Sequence, residues 1–254
     1  MKPWTLTNKR ALVTGGTKGI GKAIVNELLA LGAEVLFTGR TVEDVKAREA
    51  EWQQQQFKAY GLAGDVTDAD HLAAVKQWLE SNWGGLEILV NNAGTTIRRP
   101  SVDFTTEEYR RVLDINLIAP FEWSRKLFPL LKQGNNAAVI NISSVAGSLD
   151  AGTGAPYGMS KSGLNQLTRN LAGEWAKERI RVNTVSPWYT YTPLTESALA
   201  VPEVHDRIVA RTPMRRIAQD EEMAGVVAFL AMDKASYITG QEIKVDGGGS
   251  IGLF

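Results

Sequence analysis

The chain has 254 residues with equal numbers of basic and acidic side chains, 28 of each, so no charge excess recommends nucleic acid or an anionic membrane as a partner. It has no cysteine, which excludes disulfides, a thiolate nucleophile and zinc–thiolate sites. The two histidines, His71 and His205, stand among charged neighbours and read as surface residues; no metal site is expected, and no Gly-x-Ser-x-Gly elbow supports a Ser-His-Asp hydrolase.

The N-terminus carries no apolar leader core, and no apolar run nears the ~18 residues of a membrane span. The expected setting is therefore the cytoplasm. No linker divides the sequence, and its length suits one domain over residues 1–254.

In chain order, the apolar run at 10–14 predicts a first strand, and the pattern at 20–31 predicts a helix. Between them lie Gly15, Gly19 and Gly21. Positions without side chains let a pyrophosphate approach the backbone, and a helix N-terminus offers unpaired N–H groups to it. The spacing G-x-x-x-G-x-G departs from the commoner dinucleotide fingerprint, and the same turn would also serve a strand-to-helix connection that binds nothing. A second strand is predicted at 34–38 and ends at Thr38-Gly39-Arg40. A carboxylate there would favour NAD. Arginine instead suits a 2′-phosphate, with Lys18 as a second cation, which points to NADP(H). The plainer reading of Arg40 is a surface residue at a helix start.

Further strands are predicted at 57–61 and 86–91, with a helix at 69–83, and the glutamine run at 53–56 reads as a solvated helix end. A long helix is predicted at 106–131 and a strand at 137–143, with Ser144 directly after it. The helix at 155–177 carries Tyr157 and Lys161, four apart and so on one face. An ammonium ~4 Å from a phenol, at an effective dielectric of ~20, favours phenolate by about 4 kcal/mol, an upper figure. That would lower the tyrosine pKa by about 3 units, into the range of a general acid or base. The Ser144 hydroxyl could bond a substrate carbonyl as charge develops on its oxygen. Taken alone, Y-x-x-x-K is common in helices, and Ser144 could simply cap a strand.

A strand at 181–186, an irregular stretch at 193–213 within an expected substrate lid over about 188–213, a helix at 220–232 and a strand at 241–245 complete the chain. Alternating strands and helices, with strands apolar on both faces, predict one doubly wound parallel sheet of about seven strands, an α/β Rossmann-type fold.

These motifs together resemble the short-chain dehydrogenase/reductase family over essentially the whole chain. They are Thr14-Gly15 with Gly19-Ile20-Gly21, then Asn91-Asn92-Ala93-Gly94, then Tyr157-Gly158-Met159-Ser160-Lys161, and Thr239-Gly240 through Gly247-Gly248. The resemblance implies catalytic roles for Ser144, Tyr157, Lys161 and Asn116, the last supporting a proton relay to the lysine. It implies cofactor contacts for Gly15, Thr17, Lys18, Gly19, Ile20 and Gly21, for Arg40, Asp65 and Val66, and for Asn92, Ala93 and Gly94 on a channel that begins at Asn91. Lys161 would hold the nicotinamide ribose beside Tyr157, and Pro187 and Thr192 would lie near the carboxamide.

The family's usual Pro-Gly reads here Pro187-Trp188. With Asn92 through Pro100, this is similar to tropinone reductase-like members. The expected substrate pocket is Ile97, Val145, Trp188, Leu194 and Leu199, mostly apolar, which suggests a small cyclic or hydrophobic ketone. The resemblance also implies a homodimer or homotetramer, with Phe121, Trp123, Leu164 and Trp175 facing either a partner or the core. The expected activity is NADPH-dependent carbonyl reduction. The rivals are a 3-oxoacyl-thioester reductase, to whose carrier-docking surface Arg98, Arg99, Arg215 and Arg216 could contribute, and a non-catalytic NADPH-binding regulator.

Overall fold

The computed structural model describes residues 3–251. Its elements run β1 (Arg10–Val13), α1 (Gly19–Ala30), β2 (Glu34–Gly39), α2 (Val42–Gln54), β3 (Ala59–Ala63), α3 (Ala69–Asn82) and β4 (Ile88–Asn91). They continue α4 (Thr106–Leu113), α5 (Ala119–Gln133), β5 (Ala138–Ile142), α6 (Ala155–Trp175), β6 (Arg181–Pro187), α7 (Glu196–Leu199), α8 (Pro202–Arg211), α9 (Asp220–Ala231) and β7 (Glu242–Val245). The strands form one seven-stranded parallel sheet in the order β3-β2-β1-β4-β5-β6-β7.

The strands lack polar alternation because helices cover both faces. Ala11 and Val13 point to one side, where Ile24 and Leu28 of α1 meet Val227 and Leu230 of α9. Leu12 points to the other, where Val75 and Leu79 of α3 join Trp123 and Leu127 of α5. Each fully buried leucine contributes roughly 1.5–3 kcal/mol over its exposed state. Trp123, Leu164 and Trp175 are all buried, whereas Phe121 is exposed with Arg125 over its ring.

Three expectations need correction. The strand expected at 57–61 begins at Ala59, because Gln56 takes a left-handed φ of 65° and Phe57 N still bonds Trp52 O at 3.0 Å. The helix expected at 106–131 is broken by a π-helical turn over Asp114–Ile118. Pro120 has no N–H for the carbonyl four residues back, that of Asn116, so an unbroken α-helix is not available there. His71 is buried, not exposed. It lies on the α3 face that carries Val75 and Leu79, with its ring centroid 5.8 Å from that of Trp123. Its acidic neighbours face solvent while position 71 faces inward. His205 is half-exposed and bonds Asp206.

Among the described residues no helix is long and apolar enough to cross a membrane. Residues 188–213 hold α7 and α8, which pack Leu199 and Ile208 with Ile217 into a small core of their own.

Candidate active site

A cleft of about 380 Å³ opens at the carboxyl ends of the central strands. It spans the place where the strand order turns, between β1 and β4, the usual ligand crevice of an open parallel sheet. The turn after β1 is built for close approach. Gly15 has φ +67°, and a Cβ on Gly21 would collide with the Gly15 carbonyl and Asn92 Nδ2. Lys18 at the N-cap makes no side-chain cap bond, so capping does not consume the first N–H groups of α1.

Asn92 Nδ2 donates to Thr14 O at 2.9 Å and Gly15 O at 3.0 Å. Thr14 Oγ1 accepts from Asn92 N at 3.0 Å and Ala93 N at 3.1 Å. These bonds fix the turn against the end of β4. Thr14 stands in the sequence only as part of a motif, and its part in this staple depends on the close approach of β4, which no local pattern shows.

Gly15, Thr17, Lys18, Gly19, Ile20 and Gly21 all line the cleft. Arg40, Asp65 and Val66 line one end, and Asn92, Ala93 and Gly94 line the middle. Pro187, Trp188 and Thr192 line the side that follows β6. Asn91 does not. Its Nδ2 donates to Asn141 Oδ1 at 2.8 Å and Ser124 Oγ at 3.1 Å, within the covered layer. At the Arg40 end, burial raises the Asp65 carboxyl, but bonds from Thr67 N and Oγ1 and the charges of Arg111 and Arg40 outweigh it and hold the group below its ordinary pKa. Asp44 also lines this end.

Ser144, Tyr157 and Lys161 meet in the same cleft. Ser144 follows β5 in extended backbone, and its Oγ accepts from Ala146 N at 3.1 Å. Lys161 Nζ is buried and donates to Ile142 O at 2.9 Å. Burial lowers its pKa to about 8. Its distance to the Tyr157 ring centroid is 5.7 Å. The expected lowering of the tyrosine by the lysine is not found. Burial pushes the Tyr157 phenol up, against a hydrogen bond with Ser144 and the charge of Arg98. The lysine points at the Ile142 carbonyl, and the opposing charge comes from Arg98, which the sequence reading had considered only for docking.

Asn116 is fully buried behind the cleft wall. Its Oδ1 accepts from Thr95 N at 2.8 Å, and its Nδ2 donates to Thr95 O at 2.8 Å and Ser160 Oγ at 3.1 Å. Ser160 Oγ donates in turn to Tyr157 O at 2.7 Å. The π-helical turn thus ties the β4–α4 loop to the tyrosine-bearing turn of α6.

Of the expected pocket residues, Val145, Trp188 and Leu194 line a side chamber of about 60 Å³ beside Tyr157. Ile97 lies outside its lining, and its carbonyl faces Gly154. Leu199 belongs to the small core that α7 and α8 form with Ile217. Thr96, Arg98, Thr153 and Tyr189 take their place, so the chamber is more polar than apolar patterning suggested. Trp188 is held by Nε1 donating to Thr212 Oγ1 at 3.1 Å and by edge-on contact with Tyr189.

A family model described as enoyl-(acyl carrier protein) reductase matches residues 15–250. A tropinone reductase homologue of Arabidopsis thaliana is 43% identical over 254 residues, covering 100% of this chain and 96% of that one. The chain belongs to the short-chain dehydrogenase/reductase family. Two solved relatives superpose closely on this dehydrogenase/reductase. A proposed NAD(P)-dependent gluconate 5-dehydrogenase of Beutenbergia cavernae with bound NADP gives a TM-score of 0.93 at 35% identity, covering 98% of this chain and 100% of that one. A gluconate 5-dehydrogenase of Burkholderia cenocepacia in complex with NADP and tartrate gives 0.94 at 29% identity, with 98% of both chains covered. Family membership makes the chain an oxidoreductase of CH–OH or ketone groups that uses a nicotinamide cofactor. The glycine turn fits that group, because without side chains at Gly15 and Gly21 the turn packs tightly against Asn92 and Ala93 and leaves bare backbone at the start of α1, where a pyrophosphate would meet the helix N–H groups.

Proposed function

We propose that this short-chain dehydrogenase/reductase is an NADPH-dependent reductase of a small ketone, working in reverse as a secondary alcohol dehydrogenase. The observation that carries the reading is the shared cleft. Ser144, Tyr157 and Lys161 stand at one end of it, and Arg40 follows β2 at the other, where an NAD site would have a carboxylate. Arg40 and Lys18 are the cations for a 2′-phosphate, and the glycine turn takes the pyrophosphate. Asp65 and Val66 would flank the adenine. Asn92, Ala93 and Gly94 would line the channel toward the nicotinamide, with Pro187 and Thr192 near its carboxamide. Lys161 would hold the ribose.

Bound NADPH supplies the hydride that reaches the carbonyl carbon. The chain's own groups handle the oxygen. Ser144 donates a hydrogen bond to it, and Tyr157 gives it a proton, so the product is the neutral alcohol. Asn116 is a positioning residue that holds the turn carrying Tyr157. The apolar walls Val145, Trp188 and Leu194 suit a cyclic or hydrophobic carbon skeleton, in keeping with the tropinone reductase homologues. The relatives named as gluconate dehydrogenases favour a second substrate class, hydroxylated acids. A thioester-carrier surface has less support, because Arg99 pairs with Glu108, Arg216 pairs with Glu222 and Arg215 bonds Ala210 O. We further propose a cytoplasmic homodimer or homotetramer, to be read by light scattering.

The test is kcat/KM with NADPH and with NADH on cyclic ketones, linear ketones, oxo acids and 3-oxoacyl thioesters. A strong NADPH preference on a ketone is expected. Equal use of NADH overturns the Arg40 assignment, and tight NADPH binding with no turnover on any class favours the non-catalytic reading.

A further inference from the structure

The side chamber beside Tyr157 combines three features that the reductase reading leaves unused. Thr96 Oγ1 is buried and has no hydrogen-bond partner among the described residues. Arg98 lines the chamber, and no ion pair engages it among the described residues, whereas its neighbour Arg99 is paired with Glu108 at 3.0 Å. The chamber's lining includes Thr153 and Tyr189 but neither aspartate nor glutamate. A guanidinium offers only donors, and a hydroxyl adds one more. The group that satisfies such a set carries negative charge and several acceptor lone pairs. Val145, Trp188 and Leu194 form the apolar remainder, which suits a short carbon spacer between that group and the reacting carbonyl. The charge of Arg98 is felt at the Tyr157 phenol, so the anionic end would lie close to the chemistry.

We infer that the substrate is an oxo acid, reduced to the hydroxy acid, with its carboxylate held in the side chamber by Arg98 and Thr96. Arg98 is the specificity-determining residue. The inference rests on the reductase reading and narrows its substrate class. A carboxylate accepts a forked pair of bonds from arginine, a geometry that a neutral amide of the same shape cannot reproduce.

The experiment compares NADPH-dependent kcat/KM for a series of oxo acids and their isosteric primary amides, in wild type, Arg98→Gln and Thr96→Val. In parallel, the matching hydroxy acid is titrated calorimetrically into the NADP-loaded protein. Wild type should prefer acid over amide, and Arg98→Gln should cut that preference by about tenfold or more, the scale of one lost charge-assisted bond. Thr96→Val should cut it less. Because Arg98 is exposed, added salt should weaken the preference in wild type. Equal rates on acid and amide in wild type overturn the inference, as does an Arg98→Gln effect that falls alike on both. If neither is reduced, the titration separates the two claims. Hydroxy acid binding that depends on Arg98 keeps the anion site and overturns the reduction of oxo acids there. Absence of binding overturns the inference outright, and turnover of a cyclic or linear ketone in the same assay shows that the reductase reading survives it.

Discussion

Tyr157 needs its proton in reach of neutral pH, yet burial in the cleft raises its pKa. The groups that oppose this are Ser144 and Arg98, while Lys161 Nζ lies 5.7 Å from the ring centroid and donates to the Ile142 carbonyl. Tyr157→Phe should therefore lower kcat/KM by about 10²–10⁴, the usual reach of a general acid, while NADPH binding measured by fluorescence is retained. Substantial turnover in that variant would remove the proposed acid. Lys161 makes a separate prediction through stability. Its pKa falls from 10.5 in the free side chain to about 8 in the fold. The unfolded chain thus holds the proton more tightly, and stability from this residue rises with pH between about 8 and 10.5. At neutral pH the buried ammonium costs roughly 3 kcal/mol. Melting curves should show wild type gaining on Lys161→Met as pH climbs through that window. A constant difference would mean that the lysine is not desolvated. At the other end of the cleft, Arg40→Ala should weaken NADPH binding by about tenfold to a hundredfold and leave NADH little changed, as titration of each nucleotide would read. The pairing of Tyr157 with Lys161 was legible in the sequence because helical geometry fixes which residues share a face, and Ser144 because it ends a predicted parallel strand. The sense of the tyrosine shift was not, since it depends on where a flexible lysine points.

At the scale of elements, the π-helical turn over Asp114–Ile118 decides where Asn116 goes. Its side-chain amide makes three hydrogen bonds, to both backbone groups of Thr95 and to Ser160. Asn116→Leu removes the partner of the Thr95 N–H and C=O, a cost of about 1–3 kcal/mol for each group that stays dry, while Ser160 Oγ keeps its bond to Tyr157 O. The expected outcome is a lower melting temperature together with a lower kcat, and a variant as stable and active as wild type would show the tie to be idle. Helical periodicity over 106–131 hid this break. The signal was present in Pro120, which cannot supply the hydrogen bond that a continuous helix needs. The glycine turn was readable for the opposite reason. Its requirement is steric and local, so it appears directly as residues without side chains. Ile97 and Leu199 were misplaced because apolar character says that a side chain is covered, but not by what.

The whole molecule follows from strands that are apolar on both faces, and this is why the sheet and its two helical layers were predictable. His71 was not, because its neighbours in sequence are acidic while its neighbours in space are Trp123 and the Gly64 backbone. Burial lowers its pKa, against the charges of Asp68 and Asp65. The fold therefore prefers neutral histidine. Its contribution is complete above the free value of 6.5 and is lost as pH falls from there toward the depressed folded value. His71→Phe should flatten the fall in melting temperature over that acid range, and an unchanged slope would assign acid sensitivity elsewhere. These properties frame the chemistry, but the central claim is that the cleft reduces a carbonyl. The most direct measurement follows NADPH consumption and alcohol formation together on the ketone and oxo acid panel, for wild type beside Tyr157→Phe. The account predicts one alcohol per NADPH consumed in wild type and almost none in the variant. Equal consumption by both proteins, or consumption without alcohol, would contradict it.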